Sequence, residues 1–156
     1  MITKATSQDI AIVQEIVYKT IHGIYPNYYP KEVVDYFLNW HNEETILIDL
    51  NKGNIFLLAL DGLYVGTGTK NENCMSRIYI LPEYQGKGLG SMLMDFLEEQ
   101  ISLESDVVYI ESSYPAYDIY TKRGYASVEY LKEEVENGRI LCWHLMKKEI
   151  SAHSIV

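Results

Sequence analysis

The spacing of apolar residues changes once along the first half of the chain, and the change separates two kinds of structure. Ile10, Val13, Val17, Ile21 and Ile24 return every three or four positions, which places them on one face of a helix. Thr6 reads as its cap, and Asp9 falls in the first turn, where the helix dipole favours a carboxylate. Gly23 weakens the helix end and Pro26 forbids its continuation. The loop Tyr25-Pro26-Asn27-Tyr28-Tyr29-Pro30 leads into a second helix, with Pro30 just inside its start and Val33, Val34, Phe37 and Trp40 on its apolar side. A third helix begins after Asn42, with Ile46, Leu47 and Leu50 inward and Gly53 as C-cap. Ahead of all these, Ile2 to Ala5 reads as a short first strand.

After Gly53 the period falls to two. Asn54 to Leu60 and Leu63 to Lys70 predict two strands joined by the hairpin dipeptide Asp61-Gly62. Asn71-Glu72-Asn73 turns the chain into a third strand, Cys74 to Leu81, which Pro82 stops. A turn carrying Gly86, Gly88 and Gly90 opens a helix from about Gly88 to Glu104. Leu89, Met92, Leu93, Phe96, Leu97 and Ile101 are its expected buried stripe; Asp95, Glu98, Glu99 and Gln100 are its wet face.

Val107 to Ser112 is a strand, and Ser113 caps a short helix with Pro115 near its first turn. Lys122 and Arg123 suit that helix's C-terminal dipole, and Gly124 ends it. Tyr125 to Val135 and Ile140 to Lys148 form a hairpin over Asn137-Gly138. Residues 1–150 are expected to make one domain, with 151–156 a frayed tail; there is no repeat, low-complexity segment or linker. The class is α+β: an antiparallel meander followed by a strand–helix–strand crossover, which pairs its strands in parallel. Ligands tend to bind beyond the strand ends where such a sheet changes order.

At 156 residues, 47% hydrophobic and 22% charged, the chain has the length and composition of one globular domain with a real core. No apolar run approaches the roughly 20 residues of a membrane helix, and the first residues lack a signal-peptide core, so no membrane partner is expected and the cytoplasm is the default location. The net charge of −9 disfavours a nucleic-acid partner and suits a cationic ligand such as an amine, although solubility explains it equally well. Cys74 and Cys142 have no metal or disulfide spacing and read as reduced, half-buried thiols; no metal is expected.

The stretch from Arg77 to Ser91 carries the candidate chemistry. Strand, glycine-rich turn and helix aim several backbone N–H groups and a helix dipole at one point, a natural phosphate site. A P-loop reading fails because Gly88, not Ser or Thr, follows Gly86-Lys87. A dinucleotide fingerprint is weak because the glycines are spaced G-x-G-x-G and no repeated parallel units surround them. A third pattern fits. Gln85-Gly86-Lys87-Gly88-Leu89-Gly90 has the form Gln/Arg-x-x-Gly-x-Gly/Ala and resembles motif A of the GNAT superfamily, the acetyl-CoA-dependent N-acetyltransferases. The segment from Ser113 to Tyr125 resembles the family's Asn-x-x-Ala-x-x-Phe-Tyr-x-Lys-x-Gly-Phe, and Trp143 to Lys148 its last strand. The resemblance covers nearly the whole chain.

That resemblance implies a mixed, mostly antiparallel central sheet with a crossover and helices on both faces. It implies that Gln85, Gly86, Lys87, Gly88, Leu89, Gly90 and Ser91 bind the coenzyme's pyrophosphate, with Lys87 adding charge from the rim. Ile78, Tyr79 and Ile80 would lie along the pantetheine arm through main-chain groups, one N–H meeting the thioester carbonyl. Tyr120 matches the tyrosine that faces the sulfur and acts as general acid. Ser113 stands where many relatives carry an Asn that bonds the pantetheine.

The reaction implied is direct attack of a primary amine on the acetyl thioester. The base stays open: Cys74 stands about where some relatives place a Glu, and Glu72, Glu111, His41, His144 or a water chain are alternatives, Glu111 being the one carried forward. Tyr25, Tyr28 and Tyr29 are expected to wall the acceptor cleft, although packing on the core or on a second subunit of a homodimer explains them equally. The other reading of the whole chain is a non-catalytic coenzyme A-binding module with a regulatory or sensor role.

Overall fold

The computed structural model describes residues 1–151, so the expected tail falls, beyond Ser151, outside the described residues. Seven strands form one sheet in the order β1-β2-β3-β4-β5-β7-β6: β1 Ile2–Lys4, β2 Ile55–Leu60, β3 Leu63–Asn71, β4 Cys74–Ile80, β5 Val107–Ser112, β6 Ala126–Glu134 and β7 Ile140–Glu149. Every neighbouring pair is antiparallel except β4 and β5, which the crossover helix α4 (Leu89–Ser102) joins in parallel. α1 (Ile10–Ile24), α2 (Lys31–Trp40) and α3 (Glu43–Asn51) cover one face; α4 and the short α5 (Tyr117–Lys122) cover the other. The fold is the α+β architecture expected.

β2 shows why both faces are covered. Phe56 and Leu58 enter the core under α4, while Ile55 and Leu57 enter the core under α1 and α3. A strand buried on both sides reads as an unbroken apolar run, and Ile55-Phe56-Leu57-Leu58 is one. Local signals behave as their chemistry dictates. Asp61-Gly62 turns with φ of 51° and 80°, and Asn137-Gly138 with 57° and 69°. Asn42 accepts the Thr45 N–H at 3.0 Å, and the Thr6 N–H donates to Asp9 at 2.8 Å.

Some side chains lie where periodicity did not place them. α4 packs against β3 at Gly68, where an added Cβ would meet Leu97 Cδ1 at 2.8 Å. That contact centres the buried face on Leu93, Met94 and Leu97, and leaves Met92 50% exposed. Glu98 is not on a wet face. It accepts from Arg123 (2.9 Å), Tyr125 (2.7 Å) and Lys148 (3.1 Å). Burial pushes its carboxyl pKa up, but these donors outweigh burial and hold it below its ordinary value. Trp40, in the last turn of α2, is 57% exposed rather than inward. Pro30 stands one residue ahead of α2, as its N-cap.

Candidate active site

β4 and β5 pair at two positions, Cys74 with Tyr109 and Met75 with Ile110, and then diverge. The cause lies in β4. Thr69 opposes Ser76 while Thr67 opposes Tyr79, so β4 carries one extra residue, and Arg77 takes a φ of +47° there. A bulge of this kind bends and twists its strand. The outward edge of β4 is thereby left without a strand partner, and a cleft of about 880 Å³ opens between the strands. Ile78, Tyr79 and Ile80 line one side of it, and Glu111, Ser112 and Ser113 the other.

One end of the cleft is the glycine turn. The first helical bond of α4 runs from the Met92 N–H to the Gly88 carbonyl at 3.0 Å. Among the described residues, the N–H groups of Gly86, Lys87, Gly88, Leu89, Gly90 and Ser91 have no carbonyl partner. Gly86 and Gly88 have φ of +75° and +78°, with nothing within 4 Å of where a Cβ would stand. Backbone shape, not crowding, demands glycine there. The first turn of α4 holds no acidic residue. Gln85 folds back and donates its side-chain amide to the Ile80 carbonyl at 2.8 Å, tying the turn to the strand end. Lys87 is not on the cleft wall; its Nζ lies 5.0 Å from the centre of the Tyr84 ring. A row of free donors over open space at a helix N-terminus fits a pyrophosphate.

Further along, Tyr120 lines the cleft, is 9% exposed, and its hydroxyl has no hydrogen-bond partner among the described residues. Burial, with Tyr25 adding to it, raises its pKa, so the phenol keeps its proton and can donate. Ser113 caps the following turn through its carbonyl, which accepts the Ala116 N–H at 3.2 Å, and not through its hydroxyl. Glu111 lines the cleft; burial of its carboxyl raises its pKa even though the residue as a whole keeps an exposed edge. Tyr25 and Tyr28 stand on the wall. Tyr29 stands behind it, accepting the Tyr114 N–H at 2.8 Å, with its own pKa pushed up to about 12 by burial.

The profile of the acetyltransferase (GNAT) domain matches residues 25–150. The chain belongs to the GNAT acetyltransferase family. An uncharacterized N-acetyltransferase of Staphylococcus saprophyticus is 24% identical over 75% of this chain and 92% of its own length. A GCN5-related N-acetyltransferase from Rhodopseudomonas palustris superposes with a TM-score of 0.85 at 22% identity, covering 96% of this chain and 95% of that one. The PaiA N-acetyltransferase from Thermoplasma acidophilum, solved in complex with coenzyme A, superposes at 0.71 with 17% identity over 96% and 98%. Membership implies the use of acetyl-CoA.

Within this GNAT fold, the alternatives for the base separate by position. His41 is buried, and its Nδ1 accepts from Arg77 Nε at 3.1 Å. It lines the cleft, and burial, then the Arg77 charge, lowers its pKa to about 3, which makes it a weak base. His144 is off the cleft wall, bonded to Ser127 at 2.6 Å and set between the rings of Tyr117 and Tyr130. Cys74 is off the wall too, and burial pushes its thiol pKa up to about 11.

Sequence reasoning missed what surrounds the end of the cleft away from the glycine turn. Arg77 also donates to Thr69 (3.3 Å) and pairs with Asp49, and Tyr79 bonds both His41 (3.2 Å) and Tyr25 (3.3 Å). Tyr36, Trp40 and Trp143 line the same end, Tyr36 donating to Glu133 at 2.7 Å. An arginine inside an otherwise uncharged strand was the available signal for the first group. Among the described residues, no helix is long and apolar enough to cross a membrane. Nor do any three His, Cys, Asp or Glu residues cluster so as to hold a metal.

Proposed function

We propose that the protein moves an acetyl group from acetyl-CoA to a primary amine by direct attack. One observation carries this: a single cleft runs from the free N–H groups of residues 86–91, along an unpaired strand edge, to an unpartnered phenol. The co-substrate supplies an activated acyl group. The turn residues Gly86, Gly88, Leu89, Gly90 and Ser91 hold the pyrophosphate through N–H groups, with Gln85 fixing the turn and Lys87 adding charge from outside the wall. The edge at Ile78, Tyr79 and Ile80 pairs with the pantetheine arm, and Ser113 faces it across the gap. As the C–N bond forms and the C–S bond breaks, Tyr120 gives its proton to the departing sulfur. Glu111, with a raised pKa, takes the proton of the amine directly or through water. Tyr25 and Tyr28 wall the acceptor side, and Tyr29 braces them.

The test is a free-thiol assay against polyamines, amino acids and peptides, alongside calorimetry of coenzyme binding. Tyr120→Phe is expected to lower turnover well over tenfold with coenzyme affinity unchanged. Binding without turnover on any amine would make the protein a coenzyme-binding module; absence of binding would overturn both readings.

A further inference from the structure

Four buried polar groups, Arg77, His41, Tyr79 and Tyr25, and the half-buried Asp49 form a chain whose hydrogen bonds run in one direction when every donor is satisfied. Arg77 is 9% exposed, its charge met by Asp49. A guanidinium has donors and no acceptor, so the 3.1 Å contact from Arg77 Nε obliges His41 Nδ1 to accept. A neutral imidazole that accepts at Nδ1 carries its proton on Nε2. That nitrogen lies 3.2 Å from the Tyr79 hydroxyl and must donate to it. Tyr79 then spends its own proton on the Tyr25 hydroxyl 3.3 Å away. Reversing the His41–Tyr79 link sets two donors against each other at Arg77, and reversing the Tyr79–Tyr25 link leaves the buried Tyr79 proton without an acceptor among the described residues. The Tyr25 proton is therefore the one left over, and Tyr25 lies on the cleft wall. Ser113 and Tyr120 are its neighbours there, close enough for Tyr25 to raise the pKa of Tyr120.

We propose that the Tyr25 hydroxyl is a fixed hydrogen-bond donor to the thioester carbonyl oxygen, held in that sense by Asp49, Arg77, His41 and Tyr79. This rests on the acetyl-transfer reading above. Two adjacent phenols both present donors. Tyr120 serves the sulfur, and the attacking amine must keep its lone pair free, so the carbonyl oxygen is the acceptor atom left for Tyr25. No proton is transferred at Tyr25. The bond shortens as negative charge grows on that oxygen, and the chain behind it needs no reorganisation. His41 and Tyr79 act as positioning residues.

The direct test is the infrared stretch of acetyl-CoA labelled with carbon-13 at the acetyl carbonyl and bound to the protein. The wild-type protein is expected to shift the stretch to lower frequency, Tyr120→Phe to keep most of that shift, and Tyr25→Phe to lose it. In turnover, Tyr25→Phe is expected to lower kcat about tenfold to a hundredfold, with KM for acetyl-CoA within about twofold. His41→Leu should lower kcat severalfold. His41→Gln should restore part of the loss, because an amide again accepts on one side and donates on the other. An unchanged carbonyl stretch in Tyr25→Phe overturns the proposal, as does a Tyr25→Phe effect confined to KM. Acetyl-CoA bound with a shifted carbonyl but no transfer to any amine would overturn the acetyl-transfer reading and leave the Tyr25 contact standing.

Discussion

At one end of the cleft, six consecutive residues, Gly86 to Ser91, leave the same group, a backbone N–H, without a carbonyl partner among the described residues. At the other end, Asp49, Arg77, His41, Tyr79 and Tyr25 come from α3, β4, the C-cap of α2 and the turn after α1, and together contribute a carboxylate, a guanidinium, an imidazole and two phenols. The first site depends on backbone shape and tolerates any side chain that leaves the shape alone. The second depends on every link at once, since an unpaired polar group in so buried a place is costly. The two ends should therefore fail differently. One should lose ligand and keep its stability. The other should lose stability and turnover while its ligand still binds.

The largest effect is expected from breaking the ion pair. Asp49→Ala leaves the Arg77 guanidinium buried without its charge partner, and such a loss costs about 3–5 kcal/mol. In a domain of this size that is a fall in Tm of roughly 10 °C. Coenzyme affinity, measured by calorimetry below the new transition, should stay within about twofold. A matching loss of coenzyme affinity would mean that the two ends are one mechanical unit.

The next effect depends on pH. His41 is held neutral in the fold, its pKa lowered to about 3 from the ordinary 6.5 by burial and then by Arg77. Below pH 6.5 the unfolded chain takes up a proton that the folded chain refuses. Stability is therefore lost as pH falls through the window from 6.5 toward 3, at a slope of up to about 1.4 kcal/mol per pH unit. Above pH 6.5 neither state holds the proton, and His41 adds no dependence. Denaturant unfolding of wild type and His41→Gln, followed from pH 7 to pH 4, should give curves that diverge on the acid side. Parallel curves would show that His41 titrates normally and that the direction of the chain is not enforced.

The contrast between the two ends also explains what could be read from the chain alone. The glycine turn is local: strand, Pro82, three glycines and an amphipathic helix lie within one short stretch, and each constrains its neighbours. The polar chain is not local, and one backbone irregularity hides it. Plain alternation along β4 would put Met75, Arg77 and Tyr79 on the same face. The bulge at Arg77 breaks the alternation, so Met75 enters the core under α4 while Tyr79 enters the core under α1. Tyr79 was accordingly legible as a strand residue lining the cleft, and its hydroxyl's link to His41 was not. Trp40 failed for a related reason. Helical spacing marks it as apolar, but the core that Phe37 and Leu38 pack against does not reach the end of the helix, and Trp40 lines the cleft instead.

The smallest effect tests the backbone end by itself, through two glycines two residues apart. Gly88 has a φ of +78°, and an added Cβ would have open space around it. The cost of Gly88→Ala is therefore conformational, about 1–2 kcal/mol, as the turn either holds a left-handed alanine or relaxes and misaims its N–H groups. Coenzyme affinity should fall by about tenfold, read by calorimetry. Gly90 has an ordinary φ and lies inside α4, and its added Cβ would sit 3.8 Å from Ile80 Cγ1, a normal contact. Gly90→Ala should keep affinity within about twofold and stabilise the helix by roughly 0.5–1 kcal/mol, because alanine loses less freedom on folding. Equal losses at both positions would mean that the turn works by close packing against the ligand. A loss at Gly88 alone assigns its work to backbone direction, the property that lets a side-chain-poor segment recognise an anion.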